Sequence, residues 1–172
     1  VECKTIRRGF LKYIDLRVKH WKIRNSYDIM IVGFQGIQAV ILAKLLTRKT
    51  IIFDAFASIY DSMVMDRKSV KVNSFVAKYY WWLDKISMTL ADIVLFDTNE
   101  NIDYVAKEFG IKKEKFRRVF AGSDVDIFYP IKKESDSKSF KVFFYGSFLP
   151  LHGIDCILRA AKFLEKEKDI FF

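Results

Sequence analysis

The sequence predicts an α/β protein with a mostly parallel sheet, and two observations carry that prediction. Short apolar runs of strand length alternate with longer stretches of helical spacing along nearly the whole chain. Such alternation implies right-handed crossovers between parallel strands. The expected strand ends are Gly33, Asp54, Asp97-Thr98, Gly122 and Gly146-Ser147, all small or polar. Ligands of parallel sheets bind outside those carboxyl ends, so this rim is where function is sought.

The 172 residues suffice for one domain of ordinary size, or one and part of another. Hydrophobic residues make up 51% of the chain, in short runs that suit a globular core. None approaches the roughly 20 apolar residues of a membrane-spanning helix. The first twenty residues are too basic and too interrupted for a signal peptide. Cys3 and Cys156 stand far apart and unpatterned, which speaks against a disulfide or metal framework and for a reducing, cytoplasmic setting. The start at Val1 and the stop at Phe171-Phe172, inside an expected strand, read as a fragment. Charge is uneven. Residues 1–86 carry sixteen Lys and Arg against seven acids, whereas residues 87–172 carry fourteen of each. The whole surplus of nine thus lies in the first half, which points to an anionic partner there.

In order along the chain, residues 4–24 combine basic side chains, among them Arg7, Arg8, Arg17, Lys19 and Arg24, with Ile6, Phe10, Ile14, Val18 and Trp21 near one helical face. Two readings stay open: a helix packing that face on its own sheet, or one lying on an anionic membrane surface. Residues 28–32 read as a buried strand, ended by Gly33-Phe34-Gln35-Gly36. A helix through Ile37, Val40, Ile41 and Leu45 leads to a strand over 50–53, ended by Asp54 and a loop to Ser62. A long helix is expected over 70–90, with Phe75, Val76, Tyr79, Leu83, Ile86 and Leu90 spaced for burial. Its Tyr79-Tyr80-Trp81-Trp82 cluster is read as packing rather than base stacking, since no nucleic-acid recognition motif accompanies it. A strand over 93–96 ends at Asp97-Thr98, either of which can cap the next helix, with Glu100 as in a capping box. Gly110 suits the left-handed position that closes that helix. A fourth strand, 117–120, leads to Gly122-Ser123-Asp124.

Residues 131–139 (IKKESDSKS) are polar and unpatterned, the expected linker between a first domain, 1–130, and a second that begins at 140. Beyond it, 142–145 reads as a short buried strand, Gly146-Ser147 as a turn, and Ile154, Ile157, Leu158, Ala161 and Leu164 as a helix. Strand, glycine turn and helix start together make an anion site or an ordinary junction. The pair Asp124 and Asp126 invites a metal reading, but short Asp-rich turns are common for local reasons, and no metal is expected.

In order, YDIMIV with its glycine turn, IIFDAFASIYDS, ADIVLFDT, GSDVDIFYP and GSFLPLHG resemble segments of the retaining group 1 (family 4) glycosyltransferases, which have the GT-B fold. The resemblance spans nearly the whole chain but only part of the family's length. It implies two Rossmann-like domains facing a cleft. Here they would be an incomplete acceptor-side domain and the first strand-helix unit of a donor domain. A sugar would pass with retention from a nucleotide-diphospho-sugar to a glycan or lipid-linked acceptor, without a metal or other cofactor. Gly146, Ser147, His152 and Gly153 match the turn that approaches the donor diphosphate. Gly122, Asp124 and Thr98 fall at the hinge and cleft. Asp54 matches the strand end where many members carry a histidine near the transferred sugar, which makes it the catalytic candidate. The family often has Arg and Lys where this chain has Ser147 and His152. A hydroxyl and an imidazole titrating near pH ~6.5 are weaker phosphate partners than two permanent cations. The chain alone is expected to be inactive. A cytoplasmic protein is implied, peripheral on the inner membrane face if residues 4–24 bind lipid. The competing reading is a non-catalytic nucleotide- or anion-binding α/β module; nucleic acid is not expected in either.

Overall fold

The computed structural model describes residues 1–130, 139–146, 148 and 152–172. Four strands, β1 (Ile29–Val32), β2 (Thr50–Phe56), β3 (Ile93–Phe96) and β4 (Phe116–Arg118), form one sheet in the order β1-β2-β3-β4, every pair parallel. The connections run through α2 (Ile37–Leu46), α3 (Phe75–Leu90) and α4 (Asn99–Phe109), while α1 (Leu11–Ile23) precedes the sheet. Each step along the sheet moves to the next strand in the same direction. Right-handed crossovers then carry all three connecting helices to one face.

The burial pattern follows from that topology. Val32, Ile51, Phe53, Ala55, Val94, Phe96 and Phe116 point toward the helices and form the core with Val40, Met88, Val105 and Phe109. Alternate residues point the other way. On that second face Ile31 is 68% exposed, Ile29 is exposed, and Ile52, Asp54, Ile93 and Leu95 are only half-buried. The strand expected over 28–32 is therefore present but not buried on both sides, because no described element lies over this face. α2 is apolar nearly all round and lies between α1 and α3, which accounts for its burial.

Local punctuation explains most boundaries. α3 starts at Phe75, not at 70, because Ser74 caps it by accepting the Ala77 amide. The residues before it include a π-helical turn, Asp61–Asp66, which begins in the last two residues of the expected loop. α4 is capped by Thr98, which accepts the Asn101 amide. With Thr98 as the cap, the third helical residue is Asn101, whose side-chain amide donates to Asp97 at 2.9 Å, so Glu100 closes no capping box. Gly110 (φ 64°) ends α4 in the left-handed conformation, as expected. Asp92, just before β3, accepts the Ile51 amide at 2.8 Å and Lys44 at 3.3 Å. The Ile51 amide first, then Lys44, hold its carboxyl below the usual range.

The basic segment expected to be helical over 4–24 is helical from Leu11, after Gly9 turns the chain at φ 62°. Burial corrects two further expectations. Phe75, Val76, Tyr79 and Ile86, read as the core face of α3, are exposed; the buried residues are Ala77, Leu83, Asp84, Ser87 and Met88. Likewise Ile6, Phe10, Ile14, Val18 and Trp21 do not pack on the sheet.

After the expected linker, whose residues 131–138 lie outside the described residues, β5 (Phe140–Lys141) pairs in parallel with β6 (Ile170–Phe171) across α5 (Ile154–Phe163). The β-α unit expected there is present, but its strand is two residues long and precedes the segment 142–145. Val142 extends the pairing by one bond to Phe171. Phe143 and Tyr145 are exposed, Tyr145 at 91%, because no described residue of this unit is buried and no described residue covers them.

Candidate functional site

The carboxyl rim of the four-stranded sheet is built by tight turns. After β1, Gly36 sits so close to Val32 and the Gly33 carbonyl that a Cβ there would lie 2.6 and 2.7 Å from them. Gln35 takes a positive φ of 65° in the same turn. The ring of Phe34 meets Phe56 edge-on at 5.3 Å, which ties the ends of β1 and β2 together. A groove of about 380 Å³ opens beside the free edge of β1, lined among others by Leu16, His20, Tyr27, Val32, Gly33 and Phe34. Its polar pair is His20 Nε2 and the Tyr27 hydroxyl, 2.7 Å apart. Burial first, then Arg24 and Lys49, hold the His20 imidazole below its ordinary pKa.

Asp54 does not end its strand. β2 continues to Phe56 through a register shift against β3, so Asp54 lies opposite Leu95 on the open face of the sheet. Among the described residues its carboxylate meets no hydrogen-bond donor. Thr98 is on the rim, but its hydroxyl is engaged in capping α4. Gly122 and Asp124 fall in the exposed segment after β4, where Asp124 accepts the Asp126 amide at 3.0 Å in a local turn. The Asp124 carboxylate thus organises its own turn. Among the described residues no group of three or more potential ligands could hold a metal ion.

A cluster that the sequence reading missed lies under the loop after β2. Asp84, on the sheet-facing side of α3, is only 1% exposed. Its Oδ2 accepts the Ser58 hydroxyl at 2.6 Å and the Tyr60 amide at 2.8 Å, and Ser58 Oγ in turn accepts the Asp61 amide at 3.0 Å. Oδ1 has no partner among the described residues. Burial drives the Asp84 carboxyl up, against the opposing effect of the Ser58, Tyr60 and Ile59 donors. Burial also raises Asp61, and burial with the neighbouring Asp61 carboxylate pushes the Tyr104 phenol well above its ordinary range. Asp84 is sealed from solvent, so it acts on the rim by fixing Ser58 and Tyr60. The available signal was an acid at a helix position flanked by Leu83, Ser87 and Met88.

On the second unit, Gly146, His152 and Gly153 do come together. A Cβ at Gly146 would lie 2.8 Å from the Phe144 ring and 3.2 Å from His152 Nδ1, so any larger residue there would displace one of those side chains. Phe144 and His152 meet edge-on at 6.4 Å. Gly153 takes φ 60° and is the cap residue directly before α5. Ser147 lies outside the described residues.

Four parallel strands joined by helices define an α/β protein of the Rossmann-like class. No described helix is long and apolar enough to cross a membrane. Compared with known proteins, the chain matches no family profile and no curated sequence.

Proposed function

We propose that the chain is the greater part of the acceptor-side domain, with the first unit of the donor domain, of a retaining glycosyltransferase using a nucleotide-diphospho-sugar. The observation that carries this reading is the turn at Gly146, His152 and Gly153. The exposed Gly146, with the Phe144 ring and His152 against it, lies in space beside the residues that start α5. Amides oriented there offset the negative charge that develops on a diphosphate leaving group. On the other domain, Asp54 offers an uncommitted carboxylate on the open face of β2 to an acceptor or donor hydroxyl, and Asp84 fixes the loop that follows that strand. The order of motifs resembling the family supports the same reading.

The test is a titration of the isotope-labelled chain with uridine, guanosine and adenosine diphosphates, followed by amide resonances. A donor turn predicts saturable shifts of Gly146, Gly153 and Ile154, with a dissociation constant on the order of 1 mM for this isolated half-site. His152→Ala should weaken that binding. Shifts no larger than those from an equal ionic strength of sodium chloride would overturn the assignment. Sugar transfer from a nucleotide-sugar by the 172-residue chain itself would contradict the expectation that it is inactive alone.

A further inference from the structure

We infer that the outer face of the helical layer, formed by α1 and α3, is a docking surface for an anionic lipid bilayer. On α3, Phe75, Tyr79, Trp82 and Ile86 recur at i, i+4, i+7 and i+11, which aligns them in one stripe. All four are exposed, Phe75 at 91% and Trp82 at 55%. The buried residues Ala77, Asp84, Ser87 and Met88 occupy the opposite side of the same helix, so the stripe points away from the sheet. On α1, Ile14, Val18 and Trp21 repeat the spacing, with Phe10 one turn earlier, and Trp21 is 67% exposed. Leu16, His20 and Ile23 of α1 line the groove beside β1, on the other side of that helix.

The surroundings of the stripes select the occupant. The only acid on α3 is Asp84, which is buried, and the only acid on α1, Asp15, is paired with Lys19 at 2.8 Å. Lys12, Arg17, Lys22, Lys78 and Lys85 supply the charge on the two helices. Arg24 lies 3.8 Å over the Trp21 ring and Lys85 lies 5.9 Å from the Trp82 ring, so cations stand near exposed aromatics. Tryptophan and tyrosine with flanking lysine and arginine suit the headgroup region, where an apolar ring body and a charged tip are both satisfied. Basic side chains near an anionic surface add attraction that salt screens. The bare sheet face has apolar residues too, but among the described residues its charges are Arg117 and Asp54, of opposite sign, so the same argument does not extend there. This inference stands whether or not the transferase reading holds.

Co-sedimentation with large vesicles tests it, using phosphatidylcholine alone and phosphatidylcholine with phosphatidylglycerol, at low and high salt. The chain should bind the anionic vesicles at low salt, release at high salt, and leave the neutral vesicles unoccupied. Phe75→Ser with Trp82→Ser, both at exposed positions, should weaken binding at least about tenfold, as should neutralising Arg17, Lys22, Lys78 and Lys85 to Gln. Trp82 fluorescence should shift to the blue on binding. The inference is overturned if anionic vesicles bind no better than neutral ones, or if the serine variant binds as the parent does. It is equally overturned if sedimentation equilibrium shows the parent self-associating through this stripe and the serine variant monomeric, since a second copy would then be the occupant.

Discussion

The two faces of the four-stranded sheet are made of the same kinds of residues and meet different fates. Phe53, Val94 and Phe96 are sealed under three helices, whereas Ile29 and Ile31 look out from the other side. Composition does not separate them: β1 reads IMIV and β3 reads IVLF. Connectivity does. A sheet whose neighbours follow in chain order stacks its crossovers on one side, so only that side is dry. Purely parallel sheets are ordinarily covered on both faces, and the apolar residues of both faces suit that arrangement.

Truncating side chains face by face is the strongest way to break this contrast. Phe53→Ala should cost about 3–5 kcal/mol, because it removes a buried ring and leaves a cavity. Urea denaturation reads the loss directly. Next in size comes Asp84→Ala, which strands the Ser58 hydroxyl and the Tyr60 amide and should cost about 1–3 kcal/mol. Asp84→Asn keeps an acceptor for both, and its value lies in the pH dependence. Since the folded protein holds the Asp84 proton more tightly than the unfolded chain, this carboxyl lowers stability as pH rises from about 4 through its raised pKa. Denaturation across pH should show that decline in the parent and a flatter curve in Asp84→Asn; equal slopes would mean the burial of Asp84 has no such cost. Thr98→Ala should lose about 1 kcal/mol by uncapping α4, with Thr98→Ser nearly neutral. Ile31→Ala on the open face should stay within about 0.5 kcal/mol. A loss comparable to that of Phe53→Ala would show that the open face is covered after all.

Much of this architecture could be read from local chemistry. β3 lies at its expected bounds, since ADIVLFDT pairs an apolar run with a cap that must end it. Gly110 closes α4 because only a residue tolerant of positive φ fits there. Among the candidate site residues, Gly153 was legible for the same reason, at φ 60°. Asp54 was misplaced at a strand end, because its side chain interrupts the apolar run of β2 while its backbone does not interrupt the ladder. Asp84 was passed over because a single acid inside a helix reads as solvated until its neighbours are known. Its role depends on Ser58 and Tyr60, which are 26 and 24 residues away.

What the sequence determined by itself was the alternation of elements and their caps, because hydrogen-bond chemistry within a few residues decides those. What only the tertiary structure decided was which apolar surface became the core. α3 carries two candidate faces, a large aromatic one and a smaller one of Ala77, Leu83, Ser87 and Met88. Periodicity favoured the aromatic face, and the chain buries the other. Small side chains at Ala77 and Ser87 keep that side low, and Ser87 donates directly to the Ile37 carbonyl of α2 at 2.9 Å. Helix packing rewards close approach over many atoms as well as the size of any one side chain. That choice leaves Phe75, Tyr79 and Trp82 outside.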